Sequence, residues 1–206
     1  MVRMKVLSYD SGSPNPEVIQ EAVAVLKNGG VIAHPTDTCY GLATDINNEK
    51  ALKKLYNTKQ MPLDKPVSIL VRSLEEALKY GEFCDLAVRM AGEFWPGPLT
   101  LAVPRKDNLS KTLNSTADCI GLRVIEEPVS VALLEAMNSP LSTTSANLHG
   151  QPTPFSISQI TADPDLVIDV GDLKEHHKPS TVIHVEKGRA TTLRHGDLFD
   201  LYAGLL

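Results

Sequence analysis

Residues 15–42 read NPEVIQEAVAVLKNGGVIAHPTDTCYGL, and this stretch decides the fold class. Asn15 is a capping residue, Pro16 suits the first helical turn, and Glu17 complements the positive end of a helix dipole. Val18, Ile19, Ala22, Val23 and Leu26 recur at helical spacing. Gly29-Gly30 supplies the stop. Val31-Ile32-Ala33 then reads as a short buried strand. A helix leading straight into a strand that ends in a polar turn is the repeating unit of α/β proteins.

The alternation continues outward from there. A second helix is predicted from about Asn48, with Ala51, Leu52, Leu55 and Tyr56 on one face. Residues 67–71 are β-prone. Ser73 and Glu76 have capping-box spacing for a third helix, and another helical stretch leads to Trp95. Residues 99–103 and 119–124 read as strands, and 129–137 is apolar at helical spacing. Short strands are predicted at 167–168, 181–185 and 191–193, with a helical turn or two at 197–202. The segment KEHHK at 174–178 reads as surface loop. This order predicts an α/β protein: one mixed sheet with helices packed on it, in a single domain spanning residues 1–206.

The totals agree. The chain has 206 residues, 42% of them hydrophobic, enough for one substantial core. No stretch reaches the roughly 20 apolar residues of a membrane span. MVRMKVLSYDSG lacks the apolar run and cleavage site of a signal peptide, which predicts a cytoplasmic protein. The formal net charge of −5 argues against a dedicated nucleic-acid-binding domain, but leaves room for a local basic cleft. Cys39, Cys84 and Cys119 match neither a disulfide framework nor a zinc site, and read as buried, reduced thiols. His34, His149 and the pair His176-His177 lack metal-ligand spacing. No Walker loop, HExxH or GxSxG is present.

Four constellations carry chemistry. Residues 35–42 (PTDTCYGL) follow a strand, where α/β sheets bind ligands; they also read as a plain turn capped by Thr36 and Asp37. Lys59 and Lys65 flank a Pro62 turn after a helix. They read either as point charges for phosphate or as solvated lysines complementing the helix dipole. Residues 142–147 (STTSAN) place short donors and acceptors close to the backbone, suited to a carboxylate, phosphate or ribose, or to capping a helix. Arg123 lies inside an apolar strand and needs a partner, either a ligand carboxylate or an internal acid.

The order of these motifs resembles one family. PTDTCYGL is followed by a lysine-centred segment ending in KPVSILV, then WPGPLT at 95–100, IGLRV at 120–124, TTSANLHGQP, Ser180-Thr181-Val182-Ile183 and Leu193-Arg194-His195-Gly196. This resembles the YrdC/TsaC family, the threonylcarbamoyl-adenylate synthases, from about Asn15 to Gly196. The resemblance implies a twisted α/β sheet with a concave, positively charged groove. It implies an enzyme that joins L-threonine, bicarbonate and ATP, with Mg2+, into threonylcarbamoyl-AMP and pyrophosphate for partner proteins that modify tRNA. It assigns Thr36, Arg123, Ser145 and Ser180 to threonine. It assigns Lys59, Lys65, Thr116, Asn147 and Arg194 to the nucleotide, with Ser115 beside Thr116. Lys59, Ser145 and Asn147 would be the catalytic set. Positioning and charge stabilisation suffice for such a transfer, so a covalent nucleophile is not required.

The sequence departs from the family at 59–61. Where the family has Lys-x-Arg, this chain has Lys59-Gln60-Met61; a divergent branch resembling YciO also lacks that arginine. Methionine offers phosphate no donor. Residues 170–172 (VGD) also lack the family's double glycine. The alternative function is therefore a YrdC-like protein that binds double-stranded RNA or tRNA without nucleotidyl transfer.

Overall fold

The computed structural model describes residues 4–10, 13, 15–173, 178–196 and 200. The first strand is β1 (Lys5–Ser8), followed by α1 (Pro16–Lys27), β2 (Ile32–His34), β3 (Gly41–Ala43), α2 (Glu49–Thr58) and β4 (Ser68–Val71). Then come α3 (Leu74–Ala77), α4 (Asp85–Phe94), β5 (Leu99–Pro104), β6 (Cys119–Val124), α5 (Pro128–Met137) and β7 (Leu141–Ser145). A 3-10 turn at Ile157–Gln159 leads to β8 (Leu166–Asp169), β9 (Thr181–Glu186) and β10 (Arg189–Arg194). The strands form one mixed sheet ordered β1-β8-β2-β3-β7-β4-β6-β5-β9-β10.

The local signals work as their chemistry dictates. Asn15 and Asn48 cap α1 and α2 through their side-chain oxygens. Ser73 caps α3 by accepting from the Glu76 amide at 3.2 Å. The Glu76 carboxylate, expected back on Ser73, instead takes the Arg72 amide at 2.7 Å and the Arg72 guanidinium. Gly29, at φ +80°, closes α1. Its amide reaches Leu26 O at 2.9 Å, and the Gly30 amide reaches Val25 O at 2.9 Å.

Strand alternation divides the core between the two faces. On one face Val31, Ala33, Leu42, Ile69, Val71 and Val167 pack with Leu52, Leu55 and Tyr56 of α2 and Met90 of α4. On the other, Ile32, Ala43, Leu70, Leu166 and Ile168 pack under α1 and α5. Along β5 and β6 the first face stays apolar (Leu99, Leu101, Val103, Ile120, Leu122, Val124). The second face there turns to Thr100, Ala102, Gly121 and Arg123, which line a cavity instead of a helix.

Three strands were not expected from sequence. β1 pairs in parallel with β8. β3 and β7 were read as turns, yet β7 bridges the sheet, antiparallel to both β3 and β4. The expected tail helix at 197–202 lies outside the described residues except Asp200, and most of KEHHK lies outside them as well. Of the cysteines, Cys39 is buried while Cys84 and Cys119 are only half-buried. No helix among the described residues is long and apolar enough to cross a membrane.

Candidate active site

The uncovered half of the sheet forms the floor of a cavity of about 210 Å³. Small residues make that floor. A Cβ on Gly121 would stand 2.3 Å from Ser68 Oγ and 3.2 Å from Thr100 Cγ2, so any side chain there would collide. The walls come from the 36–41 turn, from β7 and from the start of β9 with the end of β10.

The 36–39 turn is held by its own hydroxyl. Thr36 Oγ1 donates to Cys39 O at 2.6 Å and accepts from the amides of Thr38 (3.1 Å) and Cys39 (3.0 Å). Thr36 lines the cavity, but its hydroxyl is committed to the turn. The turn presents Asp37 and Thr38 to Arg123. Asp37 Oδ1 is ion-paired with Arg123 Nη2, and Thr38 Oγ1 accepts from Nη1 at 3.3 Å. Arg123 Nε donates to Gly97 O at 3.0 Å, a carbonyl supplied by the WPGP turn. A guanidinium has five N–H groups. Three are used here, so two are left for the cavity that Arg123 lines.

Lys59 and the 145–147 turn form a second unit. Lys59 is the C-cap of α2 and is 4% exposed. Its ammonium donates to Ser145 O (2.6 Å), Asn147 O (2.8 Å) and Asn147 Oδ1 (3.0 Å), with Ser145 Oγ at 3.3 Å. The His149 amide returns a bond to the Lys59 carbonyl at 2.9 Å. Asn147 Nδ2 donates to Gln151 O. Burial pushes the Lys59 pKa down to about 8, while the ring of oxygens favours its charged form. Lys59 and Asn147 therefore stand behind Ser145, which of the three is the one on the cavity wall.

The third unit is Arg194 on Ser180. Arg194 Nε donates to Ser180 O and Nη2 to Ser180 Oγ, each at 2.9 Å, and Ser180 Oγ lies 2.9 Å from Thr100 Oγ1. Both Arg194 and Ser180 line the cavity. Lys65 and Thr116 are exposed, and neither lines the cavity. Ser115 Oγ donates to Leu63 O at 3.0 Å and Thr116 Oγ1 to Asp64 O at 3.5 Å, joining the two loops.

Met61 has a structural seat. Gln60 takes a left-handed backbone (φ 49°), and the amides of Gln60 and Met61 bond Asn57 O (3.0 Å) and Tyr56 O (2.9 Å). This closure folds the following residue onto the helix's last turn, and Met61 packs half-buried against the core.

Sequence reasoning assigned no role to Ser68, Thr100, Gly121 or Asn114, which line the cavity. Nor did it assign Asp37 to Arg123. The alternation of small with large residues in LTLAV and IGLRV was the available signal for the floor. Asn114 carried none: its side chain grips both backbone groups of Val67, at 2.6 and 3.1 Å, across 47 residues.

The Sua5/YciO/YrdC family model, described as telomere recombination, matches residues 24–196. The chain belongs to the Sua5/YciO/YrdC family. A Methanocaldococcus jannaschii relative, provisionally named threonylcarbamoyl-AMP synthase, is 38% identical over 173 residues, covering 82% of this chain and 81% of that one. Sua5 of P. abyssi, solved in complex with L-threonine, superposes with a TM-score of 0.89 at 27% identity; the match covers 98% of this chain and 60% of that one. YciO of E. coli superposes with a TM-score of 0.82 at 28% identity, covering 96% of this chain and 98% of that one. This Sua5/YciO/YrdC chain thus spans nearly all of YciO and about three fifths of the P. abyssi protein.

Proposed function

We propose that this chain is an L-threonylcarbamoyl-adenylate synthase, joining L-threonine, bicarbonate and ATP into threonylcarbamoyl-AMP and pyrophosphate. The observation that carries the reading is the meeting of three units around one cavity: the Asp37-held Arg123, the Lys59-held 145–147 turn and the Arg194–Ser180 pair. The two spare N–H groups of Arg123 receive the threonine carboxylate as a bidentate pair. Ser145 presents its hydroxyl between amino acid and nucleotide, fixed in place by Lys59 and Asn147. Arg194 faces the nucleotide phosphates, and the exposed Lys65 and Thr116 approach them from outside the cavity. A carbamate oxygen then attacks the α-phosphorus and pyrophosphate leaves in line. The chain's part is orientation and charge.

Among the described residues no three His, Cys, Asp or Glu groups converge on a cation position. The magnesium of this reading travels with ATP as substrate. The product is a reactive mixed anhydride, suited to partner proteins that transfer it to tRNA. A cavity of this size fits an amino acid and part of a nucleotide better than an RNA duplex.

The test is pyrophosphate release by purified protein with L-threonine, bicarbonate and magnesium ATP, against Asn147→Ala. Release above that control is expected. Its absence, with RNA bound in a salt-sensitive manner, would favour the RNA-binding alternative.

A further inference from the structure

Eight residues that carry a hydroxyl line the cavity, and five of those hydroxyls have protein partners. Thr36 and Thr38 are engaged in their turn and with Arg123. Thr100 and Ser180 hold each other, and Ser145 meets Lys59. Ser68, Thr143 and Thr144 remain, with no hydrogen bond from their hydroxyls among the described residues. The buried side-chain atoms that lack a partner are His34 Nε2 and Asp37 Oδ2. The oxygens of Ser68 and Thr143 are not among them, so they are open to whatever fills the cavity.

Ser68 and Thr143 belong together. β4 and β7 pair so that the two residues stand directly opposite each other, which brings their Cβ atoms to about 5 Å. The next pair on that face, Leu70 and Leu141, packs under α1 and α5, and Leu70 is the register partner of Arg123. Ser68 and Thr143 thus share the face of Arg123, while Thr144 alternates to the other. Ser68 Oγ leans across β6 into the space that a Cβ on Gly121 would take. Gly121 precedes Arg123 by two residues on the same face, roughly 7 Å along the strand. The pair therefore lies at the foot of Arg123.

The floor at this point carries no charge, so it suits a neutral polar group. An amino acid whose carboxylate is held by Arg123 has one such group when its side chain bears a hydroxyl. That hydroxyl both donates and accepts. Two opposed hydroxyls complete both roles, one accepting its proton and the other donating to its oxygen.

We infer that Ser68 and Thr143 are specificity-determining residues of the amino-acid pocket, reading the substrate's side-chain hydroxyl and so separating threonine from amino acids of its shape without one. This rests on the synthase reading.

The test is calorimetry of the full chain with L-threonine, with L-valine (a methyl in place of the hydroxyl) and with ATP. It compares wild type with Ser68→Ala, Thr143→Val and the double variant. Wild type should bind threonine at least tenfold tighter than valine. The double variant should bind threonine about tenfold more weakly, the worth of one hydrogen bond, with the valine Kd unchanged. Equal binding of threonine and valine by wild type overturns the inference, as does a double variant that keeps the wild-type preference. A double variant that loses ATP affinity and keeps its threonine preference assigns the pair to the ribose hydroxyls, and also overturns it. If the double variant fails to fold, the single variants decide, each expected to lose part of the preference. No threonine binding to wild type overturns the synthase reading itself, and this inference with it.

Discussion

At the scale of residues, the site is built from cations whose positions are set by groups behind them. Arg123 is the clearest case. Its side chain is 5% exposed and Asp37's is 11%, so each ion depends on the other for compensation. Removing one partner of a buried pair strands the remaining charge. Asp37→Asn should therefore cost about 3 kcal/mol, read from urea midpoints; a loss under about 1 kcal/mol would mean that Gly97 and Thr38 suffice to hold Arg123. Lys59 makes a second prediction. With a folded pKa of about 8 against 10.5 ordinarily, its ammonium is lost from the fold as pH rises through 8. Between about 8 and 10.5 the unfolded chain binds more protons, so for this group stability rises with pH. Synthase activity should fall above pH 8 with no matching loss of stability. Lys59→Met should be inactive throughout, its removal freeing Ser145 and Asn147.

At the scale of elements, helix ends aim the site. α1 and α2 close by the same left-handed device, one on Gly29 and the other on Gln60. Glycine pays little at positive φ, while other residues pay about 1–2 kcal/mol, offset in part by the entropy glycine loses on folding. Gly29→Ala should destabilise by about 1 kcal/mol. The added methyl would also press on Asn48 Nδ2, 3.2 Å away, in the residue that caps α2. Gln60→Gly should stabilise by about 0.5 kcal/mol and leave Lys59 in register. Denaturant titration of both variants checks the pair, and equal effects of one sign would refute it. The loop that carries Lys59 thus descends from a helix terminus, and Met61 is explained by that terminus, as packing.

At the scale of the whole molecule, two helices cover one half of a sheet face and leave the other half as the cavity. His34 sits at the boundary, fully buried, its pKa lowered by burial to about 4 from 6.5. The fold holds it neutral. Its contribution is complete above pH 6.5 and is lost as pH falls toward 4, about 3 kcal/mol in all. Urea midpoints from pH 7 to 4 should fall more steeply in wild type than in His34→Asn. The sequence by itself determined the α/β class, the helices with their caps and most strands, because capping, apolar period and glycine stops are local chemistry. It also singled out Arg123, Ser145, Ser180 and Arg194, all on the cavity wall. It did not reveal β3 or β7, since GLA has no strand composition and the hydroxyl run in LSTTS reads equally as a turn; β7 becomes a strand because it is paired along both edges. It left open whether Arg123 meets a ligand or an acid. Only the tertiary structure decided that Asp37 is its partner, that the Lys59 ammonium points back at Ser145 and Asn147, and that Gly121 is cavity floor. The first two depend on contacts between segments 85 to 88 residues apart, and no local pattern encodes which distant group completes a buried charge.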